Sequence, residues 1–141
     1  MIDQAEVERR VQIVRHLAHK LGELQRLDTQ QFTSDEHLPA CAERYLQVGC
    51  EACIEIGLLI ISGLKLRRPS SYEEIADLLT GAGFASAEFA PQIERIVKVR
   101  NMLIHGYNGI EPHALHNQLG PRIMDLEAFA SQATNFLRRV A

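Results

Sequence analysis

The chain contains no tryptophan, three cysteines, five prolines and nine glycines in 141 residues. Each shortage excludes something. Sparse proline and glycine beside 46% hydrophobic residues exclude a disordered or collagen-like chain and suit one domain spanning 1–141. A small, odd number of cysteines excludes a disulfide framework. Cys50-x-x-Cys53 has the spacing of a redox or metal pair, but it lies inside VGCEACIEIGLLIIS and no second pair completes four ligands. Buried thiols in a reducing cytosol are the expectation. Positive charge is also lacking: 15 Lys and Arg against 18 Asp and Glu leave a net charge of −3, which excludes a strongly basic nucleic-acid binder on bulk charge. Local clusters remain, Lys65, Arg67 and Arg68 in one place and Arg95, Lys98 and Arg100 in another. The start, MIDQAEVERR, lacks the apolar stretch of a secretory signal. The apolar run from Ala52 to Ile61 is short for a bilayer and carries Glu55. A cytoplasmic protein with no membrane association is expected.

What is present is helical period. Val7, Val11, Val14, Ala18 and Leu21 recur three and four apart, widened by Leu17 and Leu24, and predict an amphipathic helix over roughly 3–28. The stretch from Asp28 to Leu38 has no period and reads as a loop. A second helix is expected over about 39–64, with Pro39 in its first turn and apolar residues on most faces from Val48 onward. Ser71 and Glu74 form a capping-box pair ahead of a short helix reaching about Leu79, which Gly81 and Gly83 stop. Ser86 is placed to cap a further helix whose apolar face is Ile93, Ile96, Val97 and Ile104. Pro112 starts a short turn, and Gly120-Pro121 ends it before a last helix containing Ile123, Leu126, Phe129, Ala130, Ala133 and Leu137. No alternating strand pattern of any length occurs. The expected fold is all-α, an up-and-down bundle of four to five main helices.

The chemistry concentrates in RNMLIHGY, residues 100–107. Guanidinium stays charged and forks onto phosphate oxygens. Imidazole titrates near neutral pH, so it can take a proton from a ribose 2′-hydroxyl or give one to a leaving oxygen. Asn101 adds a hydrogen-bonding amide. These types suit RNA phosphodiester cleavage without a metal, because the 2′-hydroxyl is an internal nucleophile. Spacing alone is against it: five residues on an ideal helix separate Arg100 from His105 by about 140°. The length of arginine, a helix end near Gly106, or a two-fold dimer each offers a way to bring them together. A helix-end histidine and a solvated arginine remain the plainer interpretation of the same residues.

Arg100-Asn101-x-x-x-His105-x-Tyr107 resembles the R-x4-H-x-Y signature of the HEPN superfamily, and the whole chain resembles its HepT group of toxins. AERYLQVGCEACIEIGLLIIS is similar to that group's second helix, and RPSSYEEIADLLTGAGFAS to the turn and helix that follow. Val99 stands where many members carry phenylalanine. The resemblance implies a helical homodimer in which two motifs form one metal-independent endoribonuclease site acting on RNA such as tRNA or mRNA. It implies no cofactor. It also implies an MntA-like nucleotidyltransferase antitoxin as partner, which transfers AMP from ATP to the motif tyrosine. Carried onto this chain, Arg100 would stabilise phosphate, His105 act as acid or base, Asn101 assist, and Tyr107 become O-AMP-tyrosine. Added bulk and negative charge at Tyr107 would repel RNA. Glu51 and Glu55, four apart on the second helix, are expected to pair with Arg100 or Arg95 and to orient Arg100. The competing expectation is a non-catalytic helical partner of a nucleotidyltransferase that binds nucleotide or RNA without cleaving it.

Overall fold

The structure is a computed structural model and describes residues 1–106 and 109–140. Six α-helices account for most of it: α1 (Gln4–Gln25), α2 (Thr29–Ser34), α3 (Leu38–Gly63), α4 (Ile75–Gly81), α5 (Ala90–His105) and α6 (Pro112–Val140). Short 3₁₀ turns at Tyr72–Glu74 and Ala87–Phe89 lead into α4 and α5. Among the described residues there is no strand. The all-α bundle expected from periodicity is the fold.

The four long helices enclose the core. α1 packs against α3 and α6, and α3 also meets α5, α6 and α4. Asp3 caps α1 by accepting from the Glu6 amide at 3.1 Å, and the expected stripe from Val7 to Leu24 is buried. α3 is the central element. Leu46, Cys50, Cys53, Ile56 and Ile60 are almost wholly buried. By length and composition α3 is apolar enough to cross a membrane, yet here its apolar surface serves the interior of the bundle. Two of its glycines are contact points. A Cβ on Gly49 would meet Leu126 at 3.2 Å, and one on Gly57 would meet Ile75 at 3.1 Å, so bare backbone lets α6 and α4 come close.

Three local expectations need correction. The stretch read as a loop after Asp28 contains α2. Asp28 accepts from the Gln30 amide at 2.7 Å, and Gln31 answers the Asp28 amide at 3.2 Å. Its one large hydrophobe, Phe32, is fully buried and sits 4.8 Å from the His116 ring. A single buried residue generates no visible period. Pro121 does not divide the last helix: α6 is continuous from Pro112 to Val140. Leu115, Leu119, Ile123, Leu126, Ala130, Ala133 and Leu137 form one stripe across the proline, and burial on both sides offsets the lost hydrogen bond. Ser86 makes no side-chain cap; the chain enters α5 through a 3₁₀ turn, with the Phe89 amide donating to the Ser86 carbonyl at 3.0 Å. On α5, Val99 is buried while Ile104 is 38% exposed.

Ser71 and Glu74 pair as expected, and this pairing shapes the site. The Glu74 carboxylate accepts from the Ser70 and Ser71 amides and meets Arg67 at 2.9 Å. That fixes the turn carrying Tyr72 and Glu73 over α5. Gly83, at φ +79, takes the left-handed conformation that ends this region.

Candidate functional site

Arg100 lies in the penultimate turn of α5 and is largely buried, its side chain 22% exposed. Its guanidinium carbon stands 5.1 Å from the centroid of the Tyr72 ring, a cation–π contact. Nη1 donates to Asn101 Oδ1 at 3.1 Å. Nε faces Glu51 Oε1 at 3.9 Å, too far for a hydrogen bond, and is buried without a partner among the described residues. Glu51 Oε1 is itself held by Gln47 Nε2 at 3.1 Å. Asn101 Nδ2 donates to Glu73 Oε1 at 3.1 Å. A small cavity of about 120 Å³ is lined by Arg100, Tyr72, Glu51, Ile54 and Glu55. Arg100 therefore lies against an aromatic face and bonds an amide, faces a carboxylate without bonding it, and retains an N–H with no partner among the described residues.

His105 is the last residue of α5 and is exposed. The Gly106 amide donates to Met102 at 2.8 Å and closes the helix after it. Helical geometry thus runs through His105. Within one chain the two motif residues keep the separation of about 140° that spacing implies, and the helix end does not release His105 from it. Met102 and Ile104 beside it are 44% and 38% exposed, an apolar surface around a titratable group. Tyr107 lies outside the described residues.

The two carboxylates divide. Glu51 faces Arg100 as expected. Glu55 does not take Arg100 or Arg95 as its partner: its Oε2 accepts from Arg10 Nε at 2.6 Å, tying α3 to α1. Arg95 instead forms a two-bond pair with the buried Asp125 at 2.9 and 3.1 Å. Arg122 also approaches Asp125, at 3.8 Å. Of the Arg95, Lys98 and Arg100 cluster, Arg95 is thus engaged with Asp125, while Lys98 is exposed. Sequence reasoning missed Asp125, Tyr72, Glu73 and Gln47 as site neighbours. Arg122 three residues before Asp125 is the one local signal, since that spacing pairs side chains on a helix.

Cys50 and Cys53 are buried, as expected. Burial pushes the Cys50 thiol up to about 12 and raises Cys53 as well, so neither supplies a thiolate at neutral pH. Among the described residues no three His, Cys, Asp or Glu side chains gather closely enough to hold a metal ion.

Arg100 and His105 thus lie five residues apart on one helix of an all-helical bundle, the first largely buried and the second exposed. Residues 3–133 match the family model described as ribonuclease HepT-like, and the chain belongs to that family. No curated protein matches it. Solved structures do. YutE, a cytosolic protein of unknown function from Bacillus subtilis, is 18% identical with a TM-score of 0.83, over 98% of this chain and 92% of that one. A tri-AMPylated Shewanella oneidensis HEPN toxin in complex with MNT antitoxin is 21% identical with a TM-score of 0.81, over 96% and 99%. A mutant MntA–HpeT toxin–antitoxin is 21% identical, also at 0.81, over 93% and 98%. At these identities the likeness is one of fold.

Proposed function

We propose that this protein is the toxin of a toxin–antitoxin pair, a metal-independent endoribonuclease whose site is completed by a second copy of the chain. The observation that carries this reading is the fixed geometry of α5: Arg100 is held inward over Tyr72 while His105 is presented outward at the helix end. One chain keeps them apart, so a two-fold contact through the apolar surface of Met102 and Ile104 is the economical way to place the motifs around one phosphate. In that site one His105 takes the proton of the 2′-hydroxyl as its oxygen attacks phosphorus. The second gives a proton to the departing 5′-oxygen. The products are a 2′,3′-cyclic phosphate and a 5′-hydroxyl. The Arg100 pair stabilises charge on the phosphoryl oxygens, with Asn101 assisting and Glu51 orienting Arg100.

Control by a nucleotidyltransferase antitoxin is part of the same proposal. The Tyr107 oxygen attacks the α-phosphate of ATP, pyrophosphate leaves, and a phosphodiester-linked AMP remains two residues from His105. Support comes from the match to a structure whose toxin is AMPylated and bound to MNT antitoxin. The net charge of −3 and the engagement of Arg95 and Arg122 by Asp125 favour the second reading, a binding partner of the transferase without cleavage. Expression with and without the transferase separates them. Growth arrest by the unmodified protein, abolished in His105→Ala and relieved when intact mass shows AMP on Tyr107, is the expected result. Harmless expression of wild-type protein shown by mass to be unmodified would overturn the nuclease.

A further inference from the structure

A cavity of about 430 Å³ opens between the Tyr72–Glu74 turn with α4 on one side and α5 on the other. That volume is within the range of about 300–1,000 Å³ typical of small-molecule sites. Tyr72 and Ala76 form one wall, Val97 part of the other, and Glu73, Glu94, Arg95, Lys98 and Asn101 supply polar groups, with the Arg95 guanidinium tied to Asp125. The residues of α5 that line it, Glu94, Lys98 and Asn101 among them, recur three and four apart, so they form one stripe along the helix. Continued by four residues, the same stripe reaches His105, about 6 Å further along the axis. That rise is on the scale of one nucleotide step in an extended strand. With Arg95 paired to Asp125, the carboxylates Glu73 and Glu94 outnumber the one lining cation left among the described residues, Lys98, which disfavours phosphate inside the cavity. They accept hydrogen bonds from an exocyclic amino group, as carboxylates do from cytosine N4. Exposed Lys98 at the edge suits the strand's backbone.

From this juxtaposition we infer that the groove between the Tyr72 turn and α5 is a nucleobase subsite for single-stranded RNA, selective for an amino-bearing base near the cleaved bond. The subsite deepens the RNA reading above, but base binding is measurable without cleavage. The probe is a fluorescein-labelled run of six uridines, bound to His105→Ala protein so that nothing is cut. A single cytidine or a single abasic ribose is walked through it, with anisotropy as readout. At one position cytidine binds about ten-fold more tightly than uridine, the scale of one discriminating base contact, and the abasic ribose loses binding. Glu94→Trp fills the groove and erases the position dependence. Glu94→Gln, which preserves shape, removes the preference for cytidine. A flat scan, or a position dependence that persists in Glu94→Trp, overturns the subsite. Displacement of the RNA by free AMP with the same dependence on Glu94 would assign the groove to a mononucleotide and likewise overturn it. If the scan behaves as expected while wild-type protein cleaves none of these oligomers, the groove stands and the ribonuclease falls. Cleavage with a flat scan gives the reverse.

Discussion

Glu51→Gln separates a carboxylate that aims Arg100 from one that merely lies nearby. The substitution keeps the side chain's shape and its acceptance from Gln47, and removes only the charge facing Arg100. Unit charges about 4 Å apart attract by about 1 kcal/mol in water and about 4 kcal/mol at the effective dielectric near a protein surface. Here the separation is 3.9 Å, the two side chains are 22% and 33% exposed, and no hydrogen bond closes the gap. The attraction therefore belongs at the low end, about 1 kcal/mol. Spent on orientation, that is about a five-fold fall in kcat. KM should stay level or drop, since an arginine relieved of its carboxylate attracts phosphate more strongly. Glu55→Gln is the control, because Glu55 is held at 2.6 Å by Arg10 and not by Arg100. It should leave cleavage unchanged and lower stability by no more than about 1 kcal/mol, the range of a partly exposed pair. The assay is single-turnover cleavage of labelled RNA by unmodified protein, with Tm measured alongside. Wild-type kcat in Glu51→Gln, or an equal loss in Glu55→Gln, would refute the assignment.

Three further outcomes are expected. Phe32→Ala should destabilise the fold by about 3–5 kcal/mol in denaturant unfolding, as truncating a fully buried phenylalanine does; a loss below about 1 kcal/mol would mean that α2 is not anchored by this ring. Native protein should expose one thiol, Cys41, to a disulfide reagent and all three after unfolding; rapid reaction of Cys50 or Cys53 in the native state would contradict their burial. Stability should be level above about pH 5 and decline in more acidic solution. The His37 and Leu38 amides hold Asp35 below the usual carboxylate range, the Ser70 amide and Arg67 do so for Glu74, and the His113 and Ala114 amides do so for Glu111. A carboxylate lowered in the folded state contributes stability that is present above its unfolded pKa and lost as pH falls through its folded one. Glu111→Gln should make the acid decline shallower in urea midpoints taken across pH, and an unchanged decline would remove Glu111 from this account.

Sequence by itself determined the helical class and most of the core, because a bundle writes its buried faces as a local repeat. Val7 to Leu24 and Ile123 to Leu137 need no tertiary knowledge to be placed inside. It also located the motif, since Arg100, Asn101 and His105 are defined by type and spacing, and it offered Glu51 and Glu55 alike as carboxylates for Arg100 or Arg95, of which the structure turns Glu51 toward Arg100. Tertiary structure decided the elements and pairings whose partners lie far along the chain. α2 is capped locally by Asp28 and Gln31 but anchored by Phe32, buried beside His116, a contact that no local window contains. α6 survives Pro121 because both of its halves bury against one core. Glu55 turned to Arg10, Arg95 to Asp125, and Tyr72 came over Arg100 only once α3, α5 and the turn before α4 were assembled. Helical periodicity is a property of neighbours three and four residues apart, whereas an ion pair across 45 residues or a ring stacked from another element is a property of how finished helices pack.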